Sequence, residues 1–579
     1  MTAPSTTHVP IRIDHPLPET LNAQIRYLLD TQPEATALYF VTPDGKGEQT
    51  ISTRAFFEHA AEVARALRQN GIQAGDLVVL VLEHSLDVLY SFWGAILLGA
   101  VPSIFPFLTE KLDPDRYFES LHALVERSGV RLIITYPALY DRLNTVLADV
   151  AGMLPILGTD RLTTGGNPTE FWDYAPTAES TAFLQHSSGS TGLQKGVMLS
   201  HRAVLNQLAG YSTAIRLQAN DVICSWLPLY HDMGLIAGFI MPLMQGIPLV
   251  LMSPFHWVRA PHILLHAIQK YRGTLCWLPN FAYNLLATRV RDVQLENLDL
   301  SSMRAFINCS EPVRADSHQI FQEKYTPYGL TSNALTVSYA MAENTFAVTQ
   351  SGMDGPQKYD RIRRLPFQEQ NRAMPAAGDD EWALVVVSCG KPIPNCEVRV
   401  VDGDKKPLPE RQIGEIALRS NSMLTGYYHQ AEISAQALYE GWYLTGDLGY
   451  MVEGELYVTG RKKDLIIVGG KNIYPQDIEA IVSQIDGVKD GRTVAFGVFN
   501  EKLGTEDIAV IAEITQDDEE TQGRIQREAR QRIVQATDVN ARFVHLVGPK
   551  WLIKTSSGKI ARNANREKFL QEMAAEGLL

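Results

Sequence analysis

Residues 186–201 read HSSGSTGLQKGVMLSH, with hydroxyls and glycines side by side and a lysine after them. Ser187, Ser188, Gly189, Ser190, Thr191 and Gly192 can converge backbone N–H groups into a concavity and add hydroxyl donors. Lys195 adds a mobile positive charge suited to phosphate. The stretch is built to wrap an anion; the plainer alternative is a solvated Gly/Ser turn. A Walker loop runs Gly-x-x-x-x-Gly-Lys-Ser/Thr straight into a helix. Here Leu193 and Gln194 separate Gly192 from Lys195, the strand-like Val197-Met198-Leu199 follows, and only then comes Ser200, a good helix N-cap. The order strand, loop, strand, helix excludes the Walker reading. The window Ser188–Gly192 lacks the first glycine of a Gly-x-Ser-x-Gly nucleophile elbow, which argues against a serine hydrolase.

The chain around this loop has 579 residues, 45% of them hydrophobic, enough for roughly two to four domains. Its 52 basic and 65 acidic residues leave a net charge of −13 with no basic run, which speaks against nucleic-acid binding. Cys224, Cys276, Cys309, Cys389 and Cys396 are scattered and read as reduced thiols, so a cytoplasmic location is expected. The start, MTAPSTTHVPIRIDHP, has no apolar core of a signal peptide. The uncharged stretch Gly234–Val258 imitates a membrane span, but Pro242, Gly246, Pro248 and Pro254 cut it up; a buried helix followed by a buried strand at Pro248–Met252 is expected, and no transmembrane segment. His262 and His266 have metal-clamp spacing but no third ligand beside them, so they are taken as ordinary core or surface residues.

Helical and strand patterns alternate through the first 350 residues, as in Thr53–Asn70, Leu77–Leu82 and Leu86–Phe105, which predicts layered α/β structure. Residues 351–385 are polar and lack apolar periodicity, so an insertion or long surface loop is expected there. Short strands and turns dominate Cys389–Asp447. From residue 460 the pattern Leu465–Val468, Pro475–Ile485, Val494–Val498, Ile508–Ile514 predicts a small α+β domain.

Four further clusters follow the loop in order: WLPLYHDMG at Trp226–Gly234, NCSEP at Asn308–Pro312 with SYAMAEN at Ser338–Asn344, YLTGDLG at Tyr443–Gly449 with GRKKDLIIVGGKNIYPQDIE at Gly460–Glu479, and KTSSGKIAR at Lys554–Arg562. With these the sequence resembles the adenylate-forming superfamily of acyl-CoA synthetases, luciferases and peptide-synthetase adenylation domains, over nearly the whole chain. The resemblance implies a large N-terminal AMP-binding domain over 1–459, made of layered α/β subdomains and a small β-rich one. It implies a small mobile α+β domain over 460–579, hinged at Lys463.

It also implies roles. The Ser187–Gly192 loop and Lys195 would hold the β- and γ-phosphates of ATP, and Glu343 would bind Mg2+. Lys559 resembles the lysine that touches both the substrate carboxylate and the α-phosphate. Asp447 and Arg461 match the ribose-binding pair. Tyr339, with Ala340 and Met341, resembles the adenine-stacking motif, and Ser310, Glu311 and Pro312 the segment lining the base. Taken singly, Asp447 could be a turn residue, Lys559 a surface lysine and Glu343 a solvated helix residue; the ordered set favours the functional reading. The motif Tyr339-Ala340-Met341-Ala342-Glu343 departs from the usual Tyr-Gly-x-Thr-Glu and loses a hydroxyl at the phosphate, and Gln194 stands where a proline is usual.

Within the superfamily, Leu184-Gln185-His186, Tyr230-His231-Asp232-Met233-Gly234, Pro279–Tyr283, Ala342-Glu343, Asn472–Glu479 and an extra segment before Cys389-Gly390-Lys391-Pro392 are similar to fatty acyl-AMP ligases. That implies a fatty acid activated with ATP and passed to the phosphopantetheine thiol of an acyl carrier protein. His231, Asp232, Met233, Trp277 and Phe281 are candidates for the acyl site. Twenty residues follow Lys559 and no Asp-Ser-Leu pantetheine site is seen, so the carrier is expected on a separate chain, in a polyketide, peptide or lipid pathway. The alternatives are an acyl-CoA synthetase using free coenzyme A and a non-catalytic acyl- or nucleotide-binding protein.

Overall fold

The run LVVLV at Leu77–Val81 is apolar on both faces, as a parallel strand needs when helices cover both sides of its sheet. In the computed structural model this strand is buried throughout and lies in the interior of a seven-stranded sheet. The structure describes residues 18–42, 47–109, 114–150, 154–163, 165–187, 195–353, 355–380, 383–501, 504–516, 518–555 and 558–575. The strand order of the sheet is Gly426–Tyr427, Lys195–Ser200, Thr181–Ser187, Val101–Ile104, Leu77–Val81, Leu132–Thr135, Ile156–Gly158. The last five run parallel; Lys195–Ser200 and Gly426–Tyr427 are added antiparallel. A second, nine-stranded sheet carries Leu335–Ala340, Ala305–Asn308 and Leu275–Leu278 side by side in its interior. Thr53–Gln69 and Leu86–Leu98 form helices as their periodicity predicts, and their aromatic residues Phe56, Phe57, Phe92 and Trp93 pack edge to face around Phe239.

The uncharged stretch after Gly234 is buried, as expected. A π-helical segment, Met233–Ile240, runs into Met241–Met244, and the strand Leu249–Leu251 follows. Among the described residues no helix is long and apolar enough to cross a membrane.

The chain divides into two compact units. The first holds residues up to 357 together with 390–397 and 419–442; the second holds 358–389, 398–418 and 443 onward. Compactness therefore groups three stretches ahead of residue 460 with the C-terminal chain. The boundary at 460 expected from sequence is that of a hinge, which compactness does not define.

In the second unit, strands Val488–Asn500 and Thr505–Ile514 alternate strictly. Ala495, Ile508, Val510 and Ala512 face helices Pro475–Ser483 and Glu519–Thr537, while Phe496, Ala509 and Ile511 face Arg562–Ala575. The small α+β arrangement predicted after residue 460 is present. The stretch 351–385 is not the long loop that its polarity predicts. Tyr359–Ile362 pairs antiparallel with Leu384–Val387, and Arg364–Gln370 is a helix between them. Three of its apolar residues, Ile362, Phe367 and Ala373, are buried with Tyr450, Tyr457 and Tyr474, while Tyr359, Leu365 and Val385 stay exposed. Pairing partners about twenty residues apart leave no local period to detect.

Phe367 meets the Tyr474 ring at 4.8 Å, Glu369 pairs with Lys471 at 3.3 Å, and Asn472 Nδ2 donates to Asn371 Oδ1 at 2.9 Å. Phe367→Ala is expected to cost this contact about 3 kcal/mol. Amide exchange should accelerate in 465–474 and stay unchanged in the strand 505–514; equal rates in both variants would overturn the clasp.

Candidate functional site

The anion loop begins and ends on one ladder. Thr181–Ser187 and Lys195–Ser200 pair antiparallel with His186 opposite Gly196 and Ser187 opposite Lys195, so both ends of the loop meet. Ser188, Gly189, Ser190, Thr191 and Gly192 lie outside the described residues, as does the Ser187 side chain. Ser200 caps the following helix as its sequence predicts, accepting from Ala203 N at 3.1 Å. At the loop entry His186 is buried and pairs with Ser103 Oγ at 2.6 Å. Burial pushes the His186 pKa down to about 4, so the ring is neutral at pH 7.

Lys195 and Glu343 are brought together by a residue that sequence reasoning missed. The two-residue strand Gly426–Tyr427 adds to the outer edge of Lys195–Ser200 with Tyr427 opposite Val197. The Lys195 ammonium lies 4.9 Å from the centre of the Tyr427 ring, and the Tyr427 hydroxyl donates to Glu343 Oε1 at 3.0 Å. Glu343 sits in a 3-10 turn, Ala342–Asn344, just after the strand Leu335–Ala340. Around it, Leu424 N donates to Glu343 O at 2.8 Å, Ser420 Oγ to Asn344 Oδ1 at 2.5 Å, and Thr345 Oγ1 to Ser422 O at 2.7 Å. No motif marks Tyr427; only strand pairing reveals it. A hard divalent cation suits this donor set. Among the described residues no cluster of three His, Cys, Asp or Glu could cage a metal alone, and one carboxylate such as Glu343 suits a Mg2+ ion that takes its remaining ligands from phosphates and water.

The residues assigned to the base and acyl ends also meet. Ser310 holds a left-handed φ of 73° and points its hydroxyl at Met233 Sδ, 3.8 Å away. Glu311 Oε2 accepts from Phe281 N at 3.1 Å, and Phe281 packs edge-on against the stacked pair Trp226 and Trp257, whose ring centres are 3.6 Å apart. Asp232 accepts from Met233 N, and the His231 ring leans on Tyr230. Tyr339, Ala340 and Met341 are half-buried at the end of Leu335–Ala340. Trp277 is packed into the sheet, donating its indole N–H to Tyr211 at 2.8 Å, which donates to Gln350. His262 and His266 meet edge to face at 5.7 Å, and His262 Nδ1 pairs with Gln294.

The second unit holds the remaining candidates. Asp447 and Arg461 face each other across the strands Trp442–Val452 and Glu455–Arg461, with Arg461 Nε 3.5 Å from Asp447 Oδ1. Gly446, at φ 73°, turns the chain so that its N–H reaches Glu415, and Glu415 also accepts from Lys462 at 2.8 Å. Lys463 lies in the 3-10 turn Lys462–Asp464; burial, then the neighbouring Arg461 charge, holds its pKa below the usual lysine range. Lys559 sits on a tight hairpin turn where Thr555 N donates to Lys559 O at 2.7 Å. A buried Asn565, unmarked by any motif, clamps the stems by pairing with Ile553 N, Ile553 O and Ala561 O, each at 2.8 Å. Arg562 ties the same segment to Asp464 and Glu479.

This fold is that of the adenylate-forming enzymes. A structure from work on fatty acyl-adenylate ligases of E. coli and L. pneumophila superposes with a TM-score of 0.89 at 28% identity, covering 98% of this chain and 100% of that one. Residues 26–428 match the AMP-binding enzyme family, and the chain belongs to it. A medium-chain fatty acid–acyl-carrier-protein ligase of Moorena producens, JamA, is 30% identical over 95% of both chains. A Caulobacter vibrioides protein provisionally named an acyl-CoA synthetase is 30% identical over 89% of both. Adenylate-forming enzymes use ATP.

Tyr427→Phe keeps the ring beside Lys195 and removes the donor to Glu343. Losing a hydrogen bond to a charged group is worth about a tenfold fall in ATP–pyrophosphate exchange. An unchanged rate would separate Glu343 from the reaction.

Proposed function

We propose that the protein is a fatty acyl-AMP ligase that activates a fatty acid with ATP and delivers the acyl group to an acyl carrier protein on a separate chain. The observation that carries this reading is the near end-to-end similarity to a fatty acid–acyl-carrier-protein ligase, over 95% of both chains. In the first step a carboxylate oxygen attacks the α-phosphorus, the α–β phosphoanhydride bond breaks, and pyrophosphate leaves. In the second a thiol attacks the acyl carbonyl, loses its proton, and AMP leaves.

Two anions must meet in the first step, so the residues act chiefly by neutralising and positioning charge. The loop Ser187–Gly192 and Lys195 would hold the leaving pyrophosphate, with Tyr427 orienting Lys195 and Glu343. Glu343 would hold Mg2+ together with the phosphates; when bound, the ion supplies further charge neutralisation. Asp447 and Arg461 would take the ribose, and Tyr339 with Ser310–Pro312 the base. Lys559 would neutralise the carboxylate and α-phosphate as they approach, held in place by Asn565. His231, Asp232, Met233, Trp277 and Phe281 would border the acyl chain. A cytoplasmic location fits the five free, buried cysteines.

The segment from 460 would swing about Lys463 between the two steps, so that Lys559 withdraws and the thiol enters. The contacts of Phe367, Glu369 and Asn371 with Tyr474, Lys471 and Asn472 would restrain that swing. This favours a carrier protein over free coenzyme A as acceptor.

Lys559→Ala should lower fatty-acid-dependent pyrophosphate release at least a hundredfold, the scale of one preorganised electrostatic contact; an unchanged rate would remove Lys559 from the chemistry. Thioester formation should proceed with an acyl carrier protein and hardly at all with coenzyme A, and deleting 351–385 should raise coenzyme A use. Efficient acyl-CoA formation by the intact chain would favour the acyl-CoA synthetase instead.

A further inference from the structure

The first unit contains a cavity of about 340 Å3 that the chemistry above does not use, a volume within the range of small-molecule sites. Its walls come from the opening residues of Val101–Ile104 and Thr181–Ser187 and from Ala74, Tyr174, His201 and Tyr428. The phosphate loop leaves the opposite end of Thr181–Ser187, about 20 Å further along that strand. None of the lining residues is Asp, Glu, Lys or Arg. An ion entering it would lose hydration and meet no charged side chain in the walls, which is costly; Asp76, whose charge is felt at Tyr428, is already paired with Arg131 at 3.6 Å.

Two features make this a built site. His201 is 3% exposed, and its Nδ1 accepts from Leu21 N at 3.2 Å. The ring proton is therefore on Nε2, which has no hydrogen-bond partner among the described residues and remains a donor for the cavity. Burial pushes the His201 pKa down to about 4, so the ring is neutral at pH 7. Gly99 has φ 84°, and a Cβ there would lie 2.4 Å from the Tyr174 hydroxyl; only glycine lets that ring lie against the chain as a wall.

The cavity is joined to the ATP side by one peptide step. Tyr428 N donates to Gly196 O at 2.8 Å on the outer edge of the loop strand, and the next residue back is Tyr427, which holds Lys195 and Glu343.

We propose that this cavity is a regulatory site for a small uncharged amphiphile that bears a ring and a carbonyl-type acceptor, and that its occupant acts on the ATP side through Tyr428 and Tyr427. The ring lies among Tyr174 and Tyr428, and the acceptor accepts a hydrogen bond from His201 Nε2–H. The proposal concerns a site outside the proposed acyl-activating machinery.

Benzamide, benzoate and benzylamine present one ring in neutral, anionic and cationic form. In ligand-observed NMR titrations of the full chain, benzamide should bind at least tenfold more tightly than the other two. Ala74→Trp, on the exposed rim, should weaken benzamide at least tenfold. Equal binding of the three probes, or benzamide binding that Ala74→Trp leaves intact, overturns the site. Benzamide should also shift the KM for ATP in pyrophosphate exchange at least threefold, and this shift should vanish in Tyr428→Leu. Binding without a shift in KM overturns the regulatory role. The binding titration needs no turnover, so it is readable even if the proposed reaction fails.

Discussion

The antiparallel ladder between Thr181–Ser187 and Lys195–Ser200 holds together the two ends of the loop proposed to take the pyrophosphate. With Ser187 opposite Lys195, the loop's ends are pinned one strand spacing apart, and the ordering entropy of its entry and exit is met by the sheet rather than by the ligand. The same ladder has a free outer edge, and Gly426–Tyr427 takes it. That addition puts a phenol between a lysine and a glutamate that stand 148 positions apart in sequence. Slipping the Gly426–Tyr427 register by one residue would turn Tyr428, not Tyr427, toward Lys195.

The second unit follows a related logic with different parts. Asp447 and Arg461 owe their proximity to direct register across an antiparallel pair, and Gly446 makes the turn that lets Glu415 tie the backbone down. Lys559 depends on a short turn whose stems would fray without Asn565, since a buried amide answering three backbone groups leaves little freedom in the hairpin. Positioning in both units thus comes from backbone pairing first and from side-chain clamps second.

Much of the architecture was legible in local pattern. Leu77–Val81 is uniformly apolar and Leu132–Thr135 nearly so because both are buried along their whole length in their sheet. Ser200 precedes a helix it actually caps, and the proline-cut stretch after Gly234 folds into buried pieces. The candidate residues came from ordered motifs, whose spacing carries chemistry. What escaped had no local signature. Tyr427 acts through Glu343, 84 residues away, and Asn565 reaches back 12 residues to Ile553, and the hairpin Tyr359–Ile362 with Leu384–Val387 joins strands too far apart for a period-two pattern to stand out.

The sequence by itself determined the layered α/β class, the strand–loop–strand setting of the anion loop and the identity of most candidate site residues, because periodicity, caps and glycine-rich turns are encoded within a few residues. The tertiary structure alone decided that 358–389 packs with the C-terminal chain, that Phe367 rests on Tyr474, and that a neutral cavity lies beside Tyr428. Those outcomes depend on which distant surfaces exclude water from one another, and burial between remote segments leaves no trace in local order.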